Sequence, residues 1–204
     1  MTTNIHGIIL AGGMSSRMGT NKALLPIAPN GDPIIAHILK QLRKAINGKI
    51  IISVGASSER VKEYSFLSEI TEVVFSSDII GEGPLAGVYS SLSELSDDYA
   101  LVIACDMPNL SVKLVKEMIQ LTAKNPDLIG VKNEPFHALY HSRTAEIAYE
   151  QLQQRQYSMH AFLNRLNALY LDPETLDPAA FRNVNTQLEY QELLQDIIRK
   201  PSDQ

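Results

Sequence analysis

Five short apolar runs with almost no polar alternation, separated by segments of helical period, constrain the fold of this chain more than any other feature. They are Gly7–Ala11 (GIILA), Lys49–Val54 (KIIISV), Glu72–Phe75 (EVVF), Tyr99–Cys105 (YALVIAC) and Asp127–Val131 (DLIGV). A strand that is apolar at successive positions is buried on both faces, as in a parallel sheet covered by helices on each side. Between these runs, Ile35, Ile38, Leu39, Leu42 and Ile46 recur at helical spacing. So do Leu85, Val88, Tyr89, Leu92 and Leu95, and then Leu114, Val115, Met118, Ile119 and Leu121 behind a capping Ser111. Strand and helix in turn predict an α/β fold with a doubly wound, mostly parallel sheet flanked by helices.

The last third has a different pattern. Phe136–Tyr140 is a strand candidate, and residues 144–154 and 158–166 are helix candidates broken near Gln156 and Tyr157. Residues 172–177 make a proline-containing loop. Thr186 followed by Glu189 has the spacing of a capping box, ahead of a closing helix whose apolar stripe is Leu193, Leu194, Ile197 and Ile198. The expected organisation is one domain over residues 1–204, with one lobe to about residue 131 and a second lobe over about 132–204.

Composition narrows the function. At 45% hydrophobic and 20% charged, 204 residues can bury a sizeable core. One cysteine, Cys105, excludes an internal disulfide and a thiolate metal cluster, and points to a reducing compartment, the cytoplasm. No run approaches the length of a membrane span, and the start lacks the basic and apolar regions of a secretory signal. With a net charge of −5 and no basic run, nucleic acid is not an expected partner.

The chemistry is concentrated directly after the first strand, in Leu10-Ala11-Gly12-Gly13-Met14-Ser15-Ser16-Arg17-Met18-Gly19-Thr20-Asn21-Lys22. Ligands of open α/β sheets bind outside the carboxyl ends of strands, where such a loop lies. Glycines let backbone N–H groups approach phosphate oxygens, Ser15 and Ser16 add hydroxyl donors, and Arg17 and Lys22 add charge. The loop is neither a Walker loop nor the dinucleotide fingerprint G-x-G-x-x-G. Asp106 ends the fourth strand in the same layer, with Pro108 after it, and is suited to a hard cation such as Mg²⁺. Asn183 and Asn185 suit binding and turns alike. His137, His141 and His160 lack metal-ligand spacing and read as surface or packing residues; Cys105 reads as core.

The string Leu-Ala-Gly-Gly-x-Ser-x-Arg-Met-Gly-x-x-Lys-Ala-Leu-Leu-Pro, ending at Pro26, resembles the signature of the nucleotidyltransferase superfamily. With Gly83-Pro84-Leu85-Ala86-Gly87, Cys105-Asp106-Met107-Pro108, Pro135 with Ala138 and Tyr140, and Asn183-Val184-Asn185-Thr186, the chain most resembles the molybdenum cofactor guanylyltransferases. That resemblance implies a Rossmann-like nucleotidyltransferase fold and Mg²⁺-dependent transfer of GMP from GTP to molybdopterin. It implies nucleotide contacts from Leu10, Ala11, Gly12 and Gly13, phosphate contacts from Arg17 and Lys22, and Mg²⁺ on Asp106. An aspartate ahead of the GPLAG segment contacts nucleotide in the family, and Asp78 is the candidate. The family's asparagine after the second strand aligns with Gly55, so that contact is lost or passes to Ser57. Asn183 and Asn185 would meet the acceptor. The rival readings are cytidylyl transfer to the same acceptor, transfer to a sugar phosphate, and a non-catalytic nucleotide-binding protein. Ala11-Gly12-Gly13, where cytidylyltransferases tend to have Ala-Ala-Gly, favours the larger purine, and intact Arg17, Lys22 and Asp106 favour an enzyme.

Overall fold

The computed structural model describes residues 4–13, 21–27, 31–57, 59–173 and 176–199. Its strands are β1 (Ile5–Leu10), β2 (Ile50–Ser53), β3 (Val74–Ser76), β4 (Tyr99–Ala104), β5 (Leu128–Val131), β6 (Glu134–His141) and β7 (Ala168–Leu171). The helices are α1 (Ile34–Ala45), α2 (Glu59–Tyr64), α3 (Pro84–Leu92), α4 (Val112–Leu121), α5 (Thr144–Gln153), α6 (Met159–Leu163) and α7 (Gln187–Arg199), with short 3-10 turns between some of them.

All seven strands form one sheet in the order β3-β2-β1-β4-β6-β5-β7. β1 pairs in parallel with β2 on one side and β4 on the other, with Leu10 opposite both Ser53 and Ala104. The chain therefore winds outward from β1 to β3 and then returns to β1's other flank. This reversal opens a crevice at the carboxyl ends of β1 and β4, where open α/β sheets bind ligands. β6 is the antiparallel strand, lying between β4 and β5. A two-residue turn, Lys132-Asn133, joins β5 to β6, and Asn133 has φ 68°. So tight a connection can only make antiparallel neighbours. The segment after residue 131 thus shares the sheet of the segment before it.

Side-chain alternation along buried strands sorts the core into two layers. Ile5, Ile9, Leu101 and Ile103 face α1, α4 and α7 through Ile38, Leu42, Val115, Met118 and Leu193. Ile8, Leu10, Ala100 and Val102 face α3, α5 and α6 through Leu85, Val88, Ala148 and Phe162. Both faces are covered, which is why the sequence of these strands is apolar throughout. Ser111 caps α4 by accepting from the Leu114 N–H at 3.3 Å. The Thr186–Glu189 capping box forms reciprocally: Thr186 N–H donates to Glu189 Oε2 at 2.8 Å, and Glu189 N–H donates to Thr186 Oγ1 at 3.2 Å. The break expected near Gln156–Tyr157 is the gap between α5 and α6.

Some elements lie outside the sequence expectation. β1 begins at Ile5, because His6 is buried in it, with Nε2 3.2 Å from Asp98 and Nδ1 accepting from the Lys49 N–H. α2 is mostly polar and carries no apolar period, and β7, a half-buried edge strand, is an apolar run of only four residues close behind a helical pattern. No helix among the described residues is long and apolar enough to cross a membrane.

Candidate active site

The loop after β1 is pinned between its neighbours. Leu10 O accepts from the Cys105 N–H at 3.1 Å, and the Ala11 N–H donates to Ser53 O at 2.8 Å. Gly12 then passes against Gly55 in the loop after β2. A Cβ on Gly12 would stand 2.6 Å from Gly55 N and 2.7 Å from its Cα. Gly55 itself has φ +74° and Gly12 Cα 3.0 Å from its own Cβ position, so both residues must be glycine for the two loops to touch. Gly13 is different. It is exposed, its φ lies outside the left-handed region, and nothing among the described residues comes within 4 Å of its Cβ position. Ser15, Ser16 and Arg17 lie outside the described residues.

Lys22 is the point where distant parts of the chain meet. It opens a 3-10 turn, Lys22–Leu24, capped by Asn21. Its Nζ donates to Asn185 Oδ1 at 2.8 Å and Val184 O at 3.2 Å, and lies 3.9 Å from Asp106 Oδ2. Asp106 is fixed in turn, since its carbonyl accepts from the Val184 N–H at 2.7 Å. Glu189 Oε2 accepts from the Asn185 backbone N–H at 2.7 Å, so the capping box of α7 also anchors the residue whose side-chain amide Lys22 meets. Burial pushes the Asp106 carboxyl above its ordinary value of 3.8, against the opposing pull of Lys22. Three residues singled out in sequence, from positions 22, 106 and 185, thus share one cluster. Asn183 is exposed.

A second group lies on the other side of the loop. Asp78, just after β3, donates its N–H to Gly55 O at 3.1 Å and brings Oδ1 to 3.5 Å from Ser53 Oγ. Burial raises its carboxyl above the ordinary value, and Ser53 opposes the shift. Ser53 ends β2 and packs against α3, where a Cβ on Gly87 would fall 2.5 Å from its Oγ. The polar side chain at the end of β2 is therefore Ser53, whereas Ser57 is exposed and Gly55 is a backbone contact. Two strands separate β3 from β4 in the sheet, so their ends stand about 14 Å apart. Asp78 and Asp106 accordingly flank the crevice rather than sharing a centre.

Among the described residues, no group of three or more His, Cys, Asp or Glu side chains could hold a metal. The histidines pack: His137 is buried, with Nε2 3.0 Å from Asn109 O and its ring on Phe181, and His141 lies edge-on to Tyr99. Burial pushes the Cys105 thiol up to about 12, which leaves no thiolate nucleophile there.

Tyr64 and Arg60, which belong to no motif, reach the loop from α2. Arg60 Nη1 donates to Ala11 O at 3.0 Å, and Tyr64 Oη lies 3.4 Å from the same oxygen. Their signal was weak, a lone tyrosine and arginine in a short polar helix.

Residues 7–169 match the model of the MobA-like NTP transferase domain. A protein from Bacillus cereus (strain ATCC 10987 / NRS 248) named probable molybdenum cofactor guanylyltransferase is 34% identical over 197 residues, 94% of this chain and 96% of that one. A protein of the same name from Bacillus anthracis is 34% identical over 200 residues, 95% and 98% of the two chains. The crystal structure of molybdopterin-guanine dinucleotide biosynthesis protein A from Archaeoglobus fulgidus superposes with a TM-score of 0.79 at 21% identity, over 96% of this chain and all of that one. A nucleotidyl transferase from a Methanothermobacter species superposes at 0.72 and 16% identity, over 96% and 98%. At these identities the two structures show the fold alone.

Proposed function

The chain belongs to the MobA-like NTP transferase family and is a nucleotidyltransferase, and we propose that it transfers GMP from GTP to the terminal phosphate of molybdopterin, with Mg²⁺. Pyrophosphate leaves, and the product is the guanine dinucleotide form of the cofactor. One observation carries the reading: Lys22, Asp106 and Asn185 converge at the carboxyl edge of β1 and β4. A cation, a carboxylate and an amide in one cluster match what a triphosphate, its metal and a phosphorylated acceptor require.

The reaction is an in-line displacement in which an acceptor phosphate oxygen forms a bond to the α-phosphorus of GTP and the bond to the β-phosphate oxygen breaks. The attacking phosphate is already anionic, so no general base is needed, and the half-buried Cys105 thiol, pushed up to about 12, is no covalent alternative. Catalysis is positioning and charge neutralisation. Lys22 neutralises phosphate charge, together with Arg17. Asp106 would hold Mg²⁺, which when bound offsets charge developing on the phosphate oxygens. Leu10, Ala11, Gly12, Gly13 and Asp78 would line the base and ribose, with Ser53 beside Asp78. Asn185 and Asn183, with the segment from residue 132 onward, would face the acceptor.

Incubation with α-labelled GTP, Mg²⁺ and molybdopterin tests the proposal. Label should enter the pterin product with stoichiometric pyrophosphate, and GTP should be preferred over CTP, ATP and UTP. Incorporation from CTP alone would move the chain to cytidylyl transfer. Absence of incorporation from all four would remove the acceptor assignment.

A further inference from the structure

The segment that carries Asp106 has no regular structure of its own. Residues 105–111 run from the end of β4 to the cap of α4 outside any helix or strand. Its backbone groups therefore find their partners elsewhere. The Cys105 N–H donates to Leu10 O and the Met107 N–H to Ala104 O, while Asp106 O accepts from the Val184 N–H. From Pro108 onward the partners are side chains. Gln41, on α1, donates from Nε2 to Pro108 O at 2.8 Å, and its Oε1 accepts from the Leu110 N–H at 3.1 Å. Between them, Asn109 O lies 3.0 Å from His137 Nε2 on β6, and Asn109 Nδ2 donates to Ala179 O at 3.1 Å. A carbonyl can only accept and a backbone N–H can only donate, so its two partners fix which end of the Gln41 amide faces which. An amide that spans a carbonyl and the N–H two residues on makes the pair of bonds that one residue of a parallel strand would make. Gln41 thus stands in for a neighbouring strand where the sheet has ended.

We propose that Gln41 is a positioning residue, whose side-chain amide clamps Pro108 and Leu110 and so fixes the carboxylate of Asp106 where the Mg²⁺ of a nucleoside triphosphate would meet it. This rests on the nucleotidyl-transfer reading above, and adds a residue that acts through the backbone and not on nucleotide, metal or acceptor directly. The clamp begins two residues beyond Asp106, and Pro108 contributes a fixed φ but no N–H of its own, so the stretch depends on partners supplied by other elements. Mg²⁺ demands near-ideal octahedral placement of its ligands. Loosening the segment should therefore leave the sheet intact and appear as a higher demand for metal.

Gln41→Met tests this, because it keeps an unbranched, helix-compatible side chain and removes both hydrogen-bonding atoms. In the full-length protein without nucleotide or metal, exchange of the Leu110 amide, read by NMR, should quicken several-fold, while the amides of β4 exchange as in wild type. At fixed GTP, the Mg²⁺ concentration for half-maximal turnover should rise about three- to ten-fold, the worth of one hydrogen bond. KM for the acceptor and kcat at saturating Mg²⁺ should stay close to wild type. Gln41→Glu keeps an acceptor for the Leu110 N–H and loses the donor to Pro108 O. Leu110 should then stay protected, and the Mg²⁺ requirement should fall between those of wild type and Gln41→Met. Unchanged Leu110 exchange in Gln41→Met would overturn the clamp. Faster exchange with an unchanged Mg²⁺ requirement would overturn the positioning role. Wild-type turnover that needs no divalent cation, or none with any triphosphate, would instead sink the reading on which the proposal rests. The exchange comparison, made without ligand, would still decide whether Gln41 holds the segment.

Discussion

Gly12 and Gly13 are adjacent, and replacing each with alanine should give opposite results. A methyl on Gly12 meets backbone atoms, Gly55 N at 2.6 Å and Gly55 Cα at 2.7 Å, so no side chain can rotate away to relieve it. The loops after β1 and β2 would have to part by about 0.8 Å to restore ordinary contact at 3.4 Å. Both loops are tied down, by the Ala11–Ser53 and Asp78–Gly55 hydrogen bonds. The cost should fall in the upper part of the overpacking range, about 2–3 kcal/mol, or roughly 5–10 °C in Tm for a domain of this size. A methyl on Gly13 meets no described atom and needs no unusual φ, so its effect on stability should stay within about 0.5 kcal/mol. Its effect should show only with ligand present, where an added methyl against a purine edge weakens GTP by about 1–3 kcal/mol and the smaller CTP by less. Chemical melts of both variants, followed by competition titration of the two triphosphates on Gly13→Ala, measure each part. Equal destabilisation by the two substitutions would refute the division of labour between the glycines. An equal loss of GTP and CTP would remove Gly13 from base selection.

Asp106→Asn should lose most turnover while melting at or above the wild-type temperature at pH 7. Its folded pKa is raised by burial, so the carboxyl's contribution to stability is present below about 3.8 and lost as pH rises through the folded pKa. The variant's advantage should therefore grow with pH across that window in parallel melts, and near-normal turnover at low Mg²⁺ would refute the metal role. Lys22→Ala should raise KM and lower kcat together, for a loss of about 1.5–3 kcal/mol in kcat/KM, read from initial rates. Thr186→Ala should cost about 1 kcal/mol of stability by opening the capping box. Glu189 has its pKa lowered by the Asn185 and Thr186 N–H groups, so its stabilising effect should be present above its ordinary 4.5 and fade as pH falls through the folded value in acid melts.

The sequence made legible those parts of the fold that depend on local periodicity. β2, β4 and β5 are apolar because both faces are covered, and α1 and α4 carry their stripes because one face is. β7 was illegible because four apolar residues close behind a helical pattern cannot be told from its continuation by periodicity alone, and α2 because six mostly polar residues hold no period. At the site, Lys22, Asp106 and Asn185 could be named singly, since charge and motif mark them. Their convergence depends on the Val184–Asp106 backbone bond and the α7 cap, which link positions about eighty residues apart. Ser53, Tyr64 and Arg60 gave no motif signal at all. Their relation to the loop depends on strand order, which puts the end of β2 beside Asp78, and on α2 folding back over Ala11.

The Lys22 cluster also bears on how a site can hold opposite charges without spending them on each other. Among the described contacts, the lysine donates to an amide oxygen at 2.8 Å and a carbonyl at 3.2 Å, and the carboxylate of Asp106 stands at 3.9 Å. A direct, desolvated salt bridge would have to be broken before either charge could face a ligand, at a cost of several kcal/mol. At the observed separation the ammonium is oriented by Asn185 and Val184, and the carboxylate keeps the raised proton affinity of a buried group. On the proposed reading, Lys22 would face phosphate oxygens and Asp106 the metal ion bound to them, and that ion would offset the desolvation of the carboxylate. The neutral anchors come from the segment just before α7, which the Glu189 capping box fixes. The closing helix thereby contributes to the charge arrangement at the far end of the chain, and truncation before it would leave Val184 and Asn185, whose oxygens aim Lys22, without the Glu189 contacts that fix their segment.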